Sequence, residues 1–289
     1  MNFFTPAEIV KNYSAAGRKK TEMPAMKMLI LGILSGIFIA LGAAATNTAG
    51  HSIENVSAMR IVLGVLFPGG LTLVVLLGGE LFTGNCLISI SVLEKQAKIS
   101  AMIKNWIVVY IGNLIGSLLI AFACAKFGQF NYSDGGLAVF TMKLAVTKST
   151  LPFANAFVLG IMCNMLVCLA VLASLSAKDT AGKIAGVFFP ISFFVICGFE
   201  HCVANMYYIP AGIFARHCSG VRGKGSGGRS ESFCPHLEWI FHWKPDSRHT
   251  GEPGRRPGSG NSYVAWPCMG EGEKIRSGKN NRKRSQTFA

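Results

Sequence analysis

Glu200 and His201 stand side by side in VICGFEHCVANMYYIP, residues 195–210, a stretch that is otherwise lipid-soluble. An ionisable side chain inside an apolar span costs about 2.5 to 3.5 kcal/mol on insertion scales, so such a residue is read first as functional. Histidine is the side chain whose charge changes near neutral pH, which makes His201 a candidate proton donor or anion contact. Glu200 is expected to tie the interrupted helix to neighbouring backbone. The structural alternative is a hydrogen-bonded pair that pins a broken helix and touches no substrate.

A second interruption lies in VVLLGGELFTGNCLISISVL, residues 74–93, where Gly78, Gly79, Glu80, Thr83, Gly84 and Asn85 fall inside an apolar run. The Thr83 hydroxyl could donate to a small anion beside the positive ends of half-helices. Alternatively, it is satisfied by the preceding helical turn. Lys148 suits drawing anions into an outer vestibule, or is an ordinary loop lysine.

These residues must be positioned by membrane helices. A mean hydropathy of +0.41 with 15% charged residues is too apolar for an ordinary soluble domain. Five runs approach the roughly 20 residues of helix that cross a bilayer: 26–48, 61–79, 102–125, 153–175 and 184–214. They are too long and too unbroken by turns for the alternating strands of an outer-membrane barrel. The expected fold class is an all-α membrane protein.

No signal peptide is read before the first run, because residues 1–25 are polar. Lys11, Arg18, Lys19, Lys20 and Lys27 flank that run, 49–59 holds no Lys or Arg, and 94–104 holds three lysines. The alternation predicts a multi-pass protein of the inner (plasma) membrane with a cytoplasmic N-terminus. The six cysteines in or beside apolar runs, Cys86, Cys124, Cys163, Cys168, Cys197 and Cys202, lack CxxC spacing and read as small packing residues, with no disulfide framework, metal or cofactor.

The interrupted spans are the second and fifth, the spacing of a three-plus-three inverted repeat. Irregular backbone at membrane depth must be buried in protein or face a watery cavity. Paired interruptions point to a substrate site at the repeat interface. Such a repeat needs a sixth span, which no apolar run supplies.

GGELFTGN (78–85), NWIVVYIGNLIGSLL (105–119), CNMLVCLAV (163–171) and GFEHCVANMYYIPAGI (198–213) together resemble the formate/nitrite transporter family. The resemblance runs from FFTPAEIV to about Ala215. It implies an aquaporin-like protomer in a homopentamer, each protomer with its own pore for a monovalent weak-acid anion: formate, nitrite or hydrosulfide. It also implies a pore centre at His201 and Thr83 beside Glu200. Phe67, Leu71 and Phe194 would form an outer constriction and Leu81, Phe82 and Val167 an inner one, with Asn164 nearby and Lys148 in the outer vestibule. A bare anion crosses apolar constrictions poorly, so protonation near His201 would let it pass as the neutral acid. An intramembrane enzyme using Glu200 and His201 is the rival from another class; it lacks a nucleophile or metal-ligand set beside them.

Residues 1–215 thus form the membrane domain. Residues 216–289 differ abruptly, holding 14 of the 28 Lys and Arg, 6 of the 14 Asp and Glu and three of the four Trp. Their composition predicts a disordered basic tail. NNRKR (280–284) is too unspecific to predict nucleic-acid binding, GKGS (223–226) lacks phosphate-loop spacing, and the tail's Cys and His fit no zinc pattern.

A shifted reading frame accounts for the change. Read one base later with permitted codons, residues 236–256, HLEWIFHWKPDSRHTGEPGRR, become TWNGFFIGNLIPVTLGNLVGG. That string resembles the family's sixth span and echoes GNLIG of the third. Trp239 before Ile240 and Trp243 before Lys244 each force glycine, where the pattern accepts it. The expectation is a single-base insertion, or a two-base loss, near the codon for Arg216. The shift removes the sixth span and leaves transport by the chain as written in doubt.

Overall fold

The computed structural model describes residues 3–216. Its helices are α1 Pro6–Glu22, α2 Ala25–Gly50, α3 Val56–Leu66, α4 Pro68–Leu77, α5 Phe82–Asn85, α6 Ile88–Leu93, α7 Ile99–Lys126, α8 Tyr132–Ser149, α9 Phe153–Ser176, α10 Thr180–Cys197 and α11 Cys202–Ala215. Five helical stretches are long and apolar enough to cross a membrane: Ala25–Gly50, Val56–Leu77, Ile99–Lys126, Phe153–Ser176 and Thr180–Cys197. The basic tail, 217–289, lies outside the described residues, as does the segment read in the shifted frame.

Local chemistry sets the helix ends. Pro6 opens α1 behind a Thr5 cap, and Glu8 returns the bond to Thr5, closing a capping box. The Thr5 amide and hydroxyl hold the Glu8 carboxyl below its ordinary value. Asn55 caps α3 through the Ala58 amide, which starts the second span five residues before the apolar run at 61. Pro68 follows without ending the span, because a proline at the first position of α4 loses no helical bond.

Both interruptions have the same construction. α4 ends on Gly78 and α10 on Gly198, each with φ +74°. This left-handed cap costs glycine nothing and other residues roughly 1 to 2 kcal/mol. Four residues later a new half-helix begins, α5 after Leu81 and α11 after His201. The second and fifth spans are therefore each two half-helices joined by extended backbone. Lys148 does not sit in a loop, the plainer of its two expected settings: it lies in the last turn of α8.

α7 packs along α2 through small residues. The Cα of Gly112 meets Gly32, and Gly116 lies against the Ile33 carbonyl and the Ile37 amide. Close helix approach in lipid depends on such residues. Asn113 of α7 donates to the carbonyls of Gly32 (2.8 Å) and Glu80 (2.9 Å) and accepts from the Phe82 amide (2.9 Å). One amide side chain thereby satisfies the backbone of the first interruption, as membrane burial requires.

Candidate functional site at the meeting of two broken helices

Thr83 Oγ1 lies 3.0 Å from His201 Nε2, and both residues are buried. His201 Nδ1 accepts the Ala204 amide at 3.0 Å, capping α11 with a ring nitrogen. Because Nδ1 is the acceptor, the ring proton sits on Nε2 and is donated to Thr83. The Thr83 hydroxyl is thus joined to the other half of the molecule and not to the preceding turn. Phe194 stacks on the His201 ring at 5.7 Å and meets Phe67 edge-on at 5.6 Å.

Each interruption carries its own partly buried ion pair. Lys148 Nζ donates to both carboxylate oxygens of Glu200 at 3.0 Å, and Asn205 Nδ2 donates to Glu200 Oε2 at 2.8 Å. On the other side, Lys20 Nζ reaches Glu80 Oε1 at 2.6 Å and Asn85 Nδ2 donates to Glu80 Oε2 at 2.7 Å. Glu200 therefore pairs with side chains, where backbone partners were expected. Lys148 also lies 5.5 Å over the Tyr208 ring.

Of the residues singled out from sequence, Phe82, Thr83, Lys148, Asn164, Glu200 and His201 line one cavity of about 740 Å³. Leu71 and Leu81 line a second, of about 200 Å³, with Lys20, Glu80 and Tyr13. Phe67, Phe194 and Val167 line neither and are buried in the apolar core. Lys20, Asn85 and Asn205 were missed as site residues. The recurrence of Glu-x4-Asn in ELFTGN and EHCVAN was the available signal for the asparagines. Among the described residues, no group of three or more His, Cys, Asp or Glu could hold a metal.

Two half-crossing helices that meet through buried donors, in repeats of opposite sense, define a membrane permeation protein with an aquaporin-like inverted repeat. The chain belongs to the formate/nitrite transporter family, whose pattern it matches over residues 7–239. It is 40% identical over 232 residues to the probable formate transporter of Methanothermobacter thermautotrophicus, covering 74% of this chain and 84% of that one. It is 37% identical over 220 residues to the formate channel BtFdhC of Bacillus thuringiensis, covering 75% and 84%. Among solved structures, a pentameric formate channel with formate bound is similar at 38% identity and TM-score 0.59, covering 65% of this chain and 75% of that one. An FNT family ion channel is similar at 25% identity and TM-score 0.67, covering 74% and 86%. The relatives are channels and transporters, not enzymes, and this chain is a multi-pass anion channel of that family.

Proposed function

We propose that this protein is a formate channel of the plasma membrane, assembled as a homopentamer with a cytoplasmic N-terminus. The observation that carries the reading is the Thr83–His201 contact, which puts an N–H and an O–H donor where the two broken helices meet. Two small donors in a water-poor setting suit a small monovalent oxyanion. The relatives named for formate support formate over nitrite and hydrosulfide.

Lys148 draws the anion to the outer cavity while Glu200, itself held by Asn205, keeps the lysine head in place. The anion then meets Phe67, Leu71 and Phe194 on the outer side and Leu81, Phe82 and Val167 on the inner side of the donor pair. The neutral ring of His201 donates its Nε2–H to the Thr83 oxygen, which leaves the Thr83 hydroxyl free to donate to the anion. For the ring to pass a proton on, it must first take one at Nδ1, which releases the Ala204 amide. Protonation of the permeant anion is therefore coupled to the start of α11.

The reading applies to the protein with its sixth span restored. We read residues 216–289 as the product of a single-base shift, and the chain as written as conducting poorly. Proteoliposomes holding either version test this: formate should compete with nitrite and hydrosulfide for uptake by the frame-restored protein, and lactate should compete less. Uptake that excludes formate would overturn the substrate assignment. A nucleotide sequence lacking the required codons would overturn the shift.

A further inference from the structure

The cavity beside the Thr83–His201 contact is walled in part by thiols that the anion path does not use. Cys86, Cys163, Cys168 and Cys202 line it, all four as free thiols. Beyond the packing role expected of them, two are drawn together. Cys86 Sγ donates to the Phe82 carbonyl at 3.5 Å and Cys168 Sγ to the Thr83 carbonyl at 3.7 Å. These are consecutive carbonyls of α5, so a thiol at the end of that half-helix and one from α9 rest against a single turn.

Asn164 stands one turn before Cys168 on α9 and reaches both sulfurs. Its Nδ2 lies 3.8 Å from Cys168 Sγ, and its side chain also hydrogen-bonds Cys86. Asn164 Oδ1 is buried without a hydrogen-bond partner. Sulfur and oxygen lone pairs thus converge on one side of the cavity. Lys148, the cation in its lining, is engaged with Glu200.

We infer that Cys86 and Cys168 form a two-coordinate site for a soft divalent metal ion, with mercuric ion as the fitting probe. Thiolate sulfur selects soft metals, and each thiol loses its proton to bind. Two S–H bonds break, two S–Hg bonds form, and both protons leave to water. Exchanging two protons for one divalent ion leaves the net charge unchanged, so no bare charge is added to apolar surroundings. A monovalent soft ion would leave the pair negative. Structural zinc takes four ligands, and among the described residues no group of three or more His, Cys, Asp or Glu could hold a metal. Phe82 stands one turn before Cys86, and Val167 directly precedes Cys168. The consequence for transport rests on the channel reading above. The thiols alone leave the path beside Thr83 open, and an ion that ties α5 to α9 closes it at the inner constriction.

The full 289-residue chain, purified in detergent, is loaded with mercuric chloride, challenged with glutathione to strip ions held by one sulfur, and assayed for mercury per chain. A chelating pair should hold the ion about a hundredfold more tightly than one thiol. Cys86→Ser and Cys168→Ser should each retain one ion fewer than the parent chain, and the double variant should lose no more than either. Cys86→Ala and Cys168→Ala, which add no hydroxyl, should show the same loss. Cys163→Ser should lose none. Unchanged retention in the Cys86 and Cys168 variants would overturn the inference, as would a double variant that loses two ions. Formate uptake by the frame-restored protein should be lost in mercuric ion, recover in dithiothreitol and resist the ion in Cys86→Ser. Uptake that persists with the ion bound would overturn the closure. Retention of the ion by a protein that takes up no formate even untreated supports the site and counts against the channel reading, so the two fail separately.

Discussion

Thr83 and His201 are separated by 118 residues and lie 3.0 Å apart, one behind each broken helix. Because His201 also caps α11, its two ring nitrogens do different work. Asparagine is a good N-cap but lacks the Nε2–H donor. His201→Asn should therefore keep the fold and lose about tenfold in formate uptake, whereas His201→Ala loses both functions. Thermal melting read beside flux separates the two variants; an Asn variant with full uptake would remove the donor from the mechanism.

The Lys148–Glu200 pair predicts a sign in stability. Lys148→Met strands a carboxylate beside the second interruption and should destabilise the protein by about 3 to 5 kcal/mol. Lys148→Met with Glu200→Gln removes both charges and should recover most of that loss. A double-mutant cycle measured by denaturation in detergent checks it, and additive losses would mean that the pair is not coupled.

The two left-handed glycines are matched in backbone but not in surroundings. A side chain at Gly78 meets nothing within 4 Å, while one at Gly198 meets the Arg60 guanidinium at 2.6 Å. Gly78→Ala should cost roughly 1 to 2 kcal/mol from the backbone alone. Gly198→Ala should cost more, because it also displaces Arg60 from its 3.4 Å contact with the Val195 carbonyl. Equal melting shifts would contradict this.

In the proposed reading, size selection falls at the outer constriction, where Phe67 meets Phe194 edge-on. Phe67→Ala should raise lactate uptake relative to formate, read as the ratio of initial rates. An unchanged ratio would move the filter elsewhere.

The cap of α1 predicts a pH response at the membrane surface. Thr5 holds the Glu8 carboxyl below its ordinary value, so the cap is fully present above the ordinary glutamate range and is lost as pH falls through the lowered value. Amide exchange at the first turn of α1 should accelerate in acid, and Glu8→Gln should flatten that dependence.

Much of this was legible in the residues. Charge beside paired or capping glycines inside apolar runs marked both interruptions, because an ionisable side chain is costly in a lipid-facing helix. Each apolar run begins at most five residues after the start of a helix. Tertiary pairings were not legible: nothing local joins Lys148 to Glu200 or Lys20 to Glu80, and both lysines read as vestibule or flank charges. The Thr83–His201 bond was hidden because a threonine in a helical run bonds its own turn equally well on paper. Asn113, which satisfies the first interruption, lay inside a recognised motif without its partners being visible.

The most direct measurement is pH-dependent formate uptake by proteoliposomes holding the frame-restored protein, with Thr83→Val and His201→Asn beside it. The predicted result is uptake that rises as the outer pH falls, with each variant reduced about tenfold. No formate uptake by the restored protein, or equal uptake by all three, would contradict an anion path through the Thr83–His201 contact.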